Sequence, residues 1–434
     1  MSATWRNWAG TAEATATRVA APRSVDELCD VVRSAARDGL RVKAVGSGHS
    51  FTDIAATDGL RIEMHHLDAV TAVRGPCVTV QGGMPLRRLS EVLDGHGLAM
   101  ENLGDIDAQT ISGAISTGTH GTGAGFGGLA TQVRALELVL PDGSLVRCDA
   151  TCRPELFAAA RVGLGAFGVI ATVTLECRPA FVLHADERPM PLDAVVEQLE
   201  DLVTGNDHFE FFWFPHTGRT LTKRNNQVTD DRLRPLNRVR AWVDDDLLSN
   251  TLYGAMQRVA STAPRLVPAV NAVSSRVLTA RQYTDRSHRV FVSDRRVVFR
   301  EMEYAVPRDL VVPVLRSLRD WVDSHDEPVS FPVEVRFSAA DDIWLSTAQG
   351  RPTAYLAVHQ YHRLPYQRWF EAVESVATSV GGRPHWGKLH GLDAAALAEL
   401  YPHHGEAVRV RDEVDPEGVF RNAYLDRVLG PAGG

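Results

Sequence analysis

The chain has 434 residues, 44% hydrophobic and 23% charged, enough for two domains and a sizeable core. A formal net charge of −8 with no dense Lys/Arg run excludes an electrostatic nucleic-acid binder. No stretch approaches the ~18 consecutive apolar residues of a membrane span, so no spanning segment is expected.

The cysteines, Cys29, Cys77, Cys148, Cys152 and Cys177, all lie in the first half. Their odd number suits reduced thiols better than a disulfide framework. Cys148 and Cys152 lack two further ligands at zinc spacing, so no metal site is expected. The N-terminal MSATWRNWAG shows no secretory pattern, and the expected location is the cytoplasm.

Along the chain, Arg18–Ala21 and Arg41–Val45 read as strands around a helix. Ser24 and Glu27 form its capping box, Leu28, Val31, Val32 and Ala35 its apolar face, and Gly39 its stop. Cys77–Gln81 is a strand, and Pro85 opens a helix carrying Leu86, Leu89, Val92 and Leu93. A Gly/Ser/Thr-rich stretch, Asn102 to Gly128, reads as a long loop. Arg134–Leu140 and Leu145–Asp149 flank a PDG turn as a hairpin. Glu155–Arg161 is a short helix, and the glycine-rich Gly163–Gly168 leads into the strand Val169–Cys177.

Beyond Pro179 the texture changes. Strands are expected at Phe209–Phe214, Glu301–Val306, Val333–Phe337 and Tyr355–Tyr361, and helices at Leu192–Val203, Leu310–Ser324, Tyr366–Val380 and near Ala394–Tyr401. Asp230 to about Thr284 reads as a polar, arginine-rich insertion with some helical periodicity.

Four segments carry chemistry. Gly46-Ser47-Gly48-His49-Ser50 follows a strand, and its glycines let backbone N–H groups approach a pyrophosphate. Phe51 stands where a dinucleotide fingerprint needs its third glycine. The stretch from Asn102 to Gly123 offers small side chains and many donors, which suit a flat polar ring such as an isoalloxazine. Glu334 and Arg336, at i, i+2 on a strand, share one face. Arg383-Pro-His385-Trp-Gly-Lys388 sets an imidazole and an amine beside a glycine.

Taken in order, GSGHSFTDIA, QTISGAISTGTHGTG, GLGAFGVIATVTL, VEVRFSA, RPHWGK and DPEGVFRNAYLDRVLG resemble the aldonolactone oxidoreductases. These include L-gulono-1,4-lactone oxidases and dehydrogenases and D-arabinono-1,4-lactone oxidases, with alditol oxidases as relatives; all are vanillyl-alcohol-oxidase type FAD enzymes. GNDHFEFFWFP and FPVEVRFSA are most similar to the actinobacterial L-gulono-1,4-lactone dehydrogenases.

The resemblance implies an α+β fold: a two-lobed PCMH-type FAD-binding domain at 1–180 (lobes about 1–75 and 76–180) and a mixed-sheet substrate domain at 181–380. Residues 381–434 would return to the FAD domain. It implies FAD, bonded covalently to His49. Gly46, Ser47, Gly48 and Ser50 would bind pyrophosphate. Asp105, Thr110, Gly113, Ser116, His120 and His385 would line FAD, with Ile170 at its adenosine end.

Glu334, Arg336 and Lys388 would be catalytic, and Asp105, His359 and Tyr361 would face substrate. The substrate would be a sugar lactone or polyol, with oxygen or another acceptor taking the electrons. Alditol oxidases carry a serine at the Asp105 position and a threonine at that of Tyr361, which favours the lactone over xylitol or sorbitol. An FAD-dependent sugar oxidase of specialised metabolism is a further alternative.

Overall fold

The computed structural model describes residues 3–236, 253–293 and 297–431. Its larger sheets and their helices form three layers.

In the first, a parallel sheet pairs Leu60–Glu63 with Arg18–Ala20 on one side and Val42–Val45 on the other. The helix Val25–Arg37 covers it. Ser24 Oγ accepts from the Glu27 N–H (3.1 Å), and the Glu27 carboxylate accepts from the Arg23 N–H (2.8 Å). Gly39 follows at φ +68°, a left-handed value that favours glycine. Leu28, Val32 and Ala35 are fully buried.

The second layer is a five-stranded antiparallel sheet, in the order Leu145–Asp149, Val133–Val139, Val169–Glu176, Cys77–Gln81, Val70–Arg74. Val70–Arg74 belongs to it, so the second sheet begins inside the stretch assigned to the first lobe. The Gly/Ser/Thr stretch is not structureless: it holds the helix Ile111–Ser116, capped by the Thr110 hydroxyl, and a 3-10 turn at Leu129–Gln132 follows it. Ile111, Ala114 and Ile115 are buried beside Leu136, Val173 and Phe157. The C-terminal helices Ala394–Leu400, His404–Val414 and Ala423–Leu429 bury Leu397, Val410, Leu425 and Leu429 in the same core.

The third layer is an eight-stranded sheet that runs from Arg281–Arg286 through Val182–Pro191, Arg219–Val228, His208–Trp213, Val333–Ser338, Thr353–Tyr361 and Phe299–Pro307 to Arg383–Pro384. A mixed sheet was expected here, but every ladder is antiparallel. The reason is topological. Val182–Pro191 and His208–Trp213 run the same way, joined through helices Leu192–Glu197 and Leu199–Thr204, but Arg219–Val228 inserts between them. Phe299–Pro307 and Val333–Ser338, joined through helix Val311–Ser324, are likewise separated by Thr353–Tyr361. One sheet face packs on helices through Val333, Val335, Phe337, Leu315 and Leu318. The other face carries the polar residues described below. The expected insertion falls partly outside the described residues; the rest includes helices Tyr253–Thr262 and Val267–Val277.

Candidate active site

An open cleft of about 930 Å³ runs along the first lobe and a second chamber of about 850 Å³ adjoins it. His49, Ser50, Gln109 and Thr117 line both, so the two spaces meet at these residues.

The cleft is walled by the glycine loop after Val42–Val45, by the helix Ile111–Ser116, and by Gly165, Gly168 and Ile170. Gly46 has to be glycine: a Cβ there would sit 2.3 Å from Thr110 Oγ1. The loop is held from both sides. An N-terminal hairpin, Ala3–Arg6 with Glu13–Ala16, places Trp8, whose N–H donates to Gly48 O (2.9 Å) and whose ring stacks on His49 at 5.8 Å. From the C-terminal side, Gly387 O accepts from the Phe51 N–H (2.7 Å).

The chamber is built where RPHWGK runs beside Phe299–Pro307. His385 N donates to Glu303 O (2.9 Å) and Leu389 N to Glu301 O (3.0 Å). Lys388 Nζ then reaches Glu301 Oε2 at 2.5 Å and lies 5.0 Å over the Phe51 ring. Glu301 pairs in register with His359 across the ladder, and His359 Nε2 is 3.4 Å from Glu301 Oε1. Two residues on, Glu303 meets His120 Nε2 at 2.9 Å.

A second ionic group centres on Arg336. Its guanidinium contacts Glu334 (2.5 Å), Glu210 (2.9 Å) and Asp105 (3.3 Å), and Lys223 reaches Glu210 at 3.2 Å. Glu334 and Arg336 share a sheet face, as their spacing requires, while Val333, Val335 and Phe337 fill the core behind.

Burial sets the protonation states. It would raise the Glu301 carboxyl, but Lys388 and His359 hold it at about 2. Burial would also raise Glu303 and Glu210; His120 holds the first below the usual carboxylate range, and Arg336 with Lys223 the second. His385 is pushed down to about 4 by burial, against the pull of Glu303, so its ring is neutral at pH 7. Burial and Lys388 together lower His49. His120, Glu303 and His385 place ligand-type atoms within 4.8 Å of one another, but His120 and Glu303 already satisfy each other.

Of the expected residues, Gly46, Ser47, Gly48, His49, Ser50, Thr110, Gly113, Ser116 and Ile170 line the cleft. Asp105, His120, His385, Glu334, Arg336, His359 and Lys388 line the chamber. Tyr361 lines neither; it packs with Phe51, Phe299 and Phe331 in an aromatic cluster. Sequence reasoning missed Trp8, Gln109, Glu210, Lys223, Glu301 and Glu303. Only Glu301 and Glu303 left a signal, two carboxylates at i, i+2 in EMEYAV, where the residues between and after them are apolar or aromatic.

The arrangement fits FAD. A long glycine-lined cleft takes an extended dinucleotide, and the adjoining chamber offers a flat ring two cationic groups, Lys388 and Arg336. Comparison with known proteins agrees. The chain matches the D-arabinono-1,4-lactone oxidase family over residues 173–428 and the FAD binding domain family over 16–149. It is 42% identical to an L-gulono-1,4-lactone dehydrogenase of Mycobacterium tuberculosis, over 99% of this chain and 100% of that protein. Identity to the L-gulonolactone oxidase of Mus musculus is 34%, over 98% of each chain. An alditol oxidase of a Streptomyces species is 31% identical, over 99% of this chain and 100% of that one. In fold it is similar to a solvent-stable cholesterol oxidase, with a TM-score of 0.84 at 19% identity over 99% of this chain and 98% of the other. The chain therefore belongs to the D-arabinono-1,4-lactone oxidase family of FAD-dependent oxidoreductases.

Proposed function

We propose that the protein oxidises the C2 hydroxyl of an aldono-1,4-lactone of the L-gulono or D-arabinono type. The observation that carries this reading is the chamber itself, in which the Glu334–Arg336 pair and the Lys388–Glu301–His359 group are gathered beside His49. Bound FAD supplies a hydride acceptor at N5 of its isoalloxazine ring.

Oxidising a secondary alcohol also moves a proton off the hydroxyl. Glu334 is placed to accept it, and the guanidinium 2.5 Å away favours the ionised form that accepts. Lys388, which lines the chamber, would offer positive charge to the negative charge that a reduced ring carries, and Arg336 would hold Glu334 in place. Asp105 and His359 orient the lactone hydroxyls. The resulting 2-keto lactone enolises to an ascorbate-type enediol.

The test is anaerobic mixing of the yellow protein with L-gulono-1,4-lactone, and separately with xylitol, while the visible flavin band is followed. Bleaching by the lactone alone is expected. Bleaching by xylitol alone moves the protein to the alditol branch, a reading that the 31% identity to an alditol oxidase keeps in view. Bleaching by neither overturns both. Admitting air afterwards shows whether oxygen or another acceptor takes the electrons.

His49 is the residue that we assign to covalent attachment of FAD. It lines the cleft and the chamber alike, and its lowered pKa leaves a neutral nitrogen free to bond carbon. Acid precipitation is expected to leave the yellow colour in the pellet, and the His49→Ala pellet is expected to be colourless. A colourless wild-type pellet rules the bond out. The cytoplasm is the compartment that five free cysteines suit. No helix among the described residues is long and apolar enough to cross a membrane.

A further inference from the structure

The reading above uses Glu334, Arg336 and Lys388 as chemical groups and gives no role to Glu301, a buried carboxylate that lines the chamber. Glu301 is the third residue of the strand Phe299–Pro307 and is 6% exposed. Each of its oxygens has its own cation-type partner: Oε2 the Lys388 ammonium at 2.5 Å, Oε1 the His359 imidazole at 3.4 Å. Both partners arrive from other segments, His359 from the neighbouring strand and Lys388 from the loop after Arg383–Pro384.

The His359 ring is constrained at both ends. Its Nδ1 lies 3.2 Å from Pro332 O, and its Nε2 faces Glu301. The Lys388 backbone is fixed as well, its N–H donating to His385 O (3.0 Å) and the next N–H to Glu301 O (3.0 Å).

We infer that Glu301 is a positioning residue for catalysis: its carboxylate fixes the Lys388 ammonium and the His359 ring, and it sets how much of the Lys388 charge reaches the flavin. The inference rests on the reading in which Lys388 faces the isoalloxazine. The carboxylate is ionised at every working pH, because Lys388 and His359 outweigh its burial and hold it at about 2. An ammonium matched by a carboxylate at 2.5 Å presents a weaker field than an unmatched one. Glu301 thus moderates a cation that would otherwise act on the ring at full strength, and it holds that cation still.

The discriminating measurement is the flavin midpoint potential in wild type, Glu301→Gln, Lys388→Met and the double variant. Glutamine keeps the shape and an oxygen for Lys388 but removes the charge. Glu301→Gln is expected to move the potential to a more positive value and Lys388→Met to a more negative one. The double variant is expected to match Lys388→Met, because Glu301, buried and without its ammonium, takes up a proton and leaves no charge for glutamine to remove. Equal shifts from Glu301→Gln in both backgrounds, or no shift in either, overturn the inference. An unchanged potential in Lys388→Met overturns the underlying placement of Lys388 instead, so the two failures are distinct. Should Glu301→Gln fail to fold, Glu301→Asp keeps the charge and shortens the reach. It is then expected to hold the potential near wild type while slowing flavin reduction by substrate at least tenfold, and an undiminished rate overturns the positioning role.

Discussion

Arg336 is a single guanidinium among three carboxylates, and this imbalance gives Glu334 its character. Burial would lower the arginine, but Glu334, Glu210 and Asp105 raise it well above its ordinary value, so it stays charged throughout. Glu334→Gln preserves shape and removes the proton acceptor. Flavin reduction by the lactone is expected to slow by about 10²- to 10⁴-fold, the usual worth of a positioned general base. Anaerobic stopped-flow reads this directly, and a rate within a few-fold of wild type would take Glu334 out of proton transfer. Arg336→Met is a different experiment: it strands buried carboxylates, at a cost of about 3–5 kcal/mol, and is expected to lower expression before activity can be read. Glu334 and Arg336 were legible because a strand period puts i and i+2 on one face. Glu210 and Lys223 were not, because nothing in a charge's identity says that a strand from elsewhere will bury it.

At the scale of elements, the glycine loop depends on a neighbour far along the chain. The Thr110 hydroxyl accepts from the Gly113 N–H (3.3 Å) and caps the helix Ile111–Ser116, and Gly46 leaves room for it. Gly46→Ala drives a methyl into that hydroxyl. The expected result is a helix that loses its cap, worth about 1 kcal/mol, and a protein purified with a lower ratio of flavin to protein absorbance. A flavin content equal to wild type would show that Thr110 moves aside without consequence. The same dependence on distant partners explains which elements could be read. Helices with a 3.6-residue apolar stripe, such as Val311–Ser324 and the Ser24-capped Val25–Arg37, announce themselves. The long strands Val182–Pro191 and Arg219–Val228 do not. Their inner positions include Glu187 and Asn225, polar residues that are buried because other strands surround them, Glu187 pairing with Arg281 at 2.8 Å. The helix expected over Leu192–Val203 is likewise divided at Gln198, which no residue type there foretells.

Across the whole molecule, the first lobe, the glycine-rich Gly163–Gly168 turn and the C-terminal segment meet at one buried amine. Lys43 is 3% exposed; its Nζ donates to Phe420 O at 3.1 Å and to Gly165 O at 3.4 Å, and the next strand residue back, Val42, donates its N–H to Val419 O at 2.7 Å. Burial lowers the Lys43 pKa to about 7, and Asp415 opposes that only in part. In the unfolded chain a lysine titrates near 10.4. Between those two values the unfolded chain carries a proton that the folded one has released. Unfolding therefore takes up a proton, and stability rises with pH across that window. The cost of burying the charge is fully present below pH 7, fades from pH 7 upward, and is gone above about 10.4. The slope reaches at most about 1.4 kcal/mol per pH unit from this one group. Other groups titrate in the same range, so the useful quantity is the difference from Lys43→Met, which keeps the stem and removes the amine. Urea midpoints at pH 7, 8 and 9 are expected to show wild type gaining on Lys43→Met as pH rises. A difference that stays constant over those three values would mean that Lys43 is charged in the folded protein throughout, with its two carbonyl partners sufficient to hold the ammonium inside.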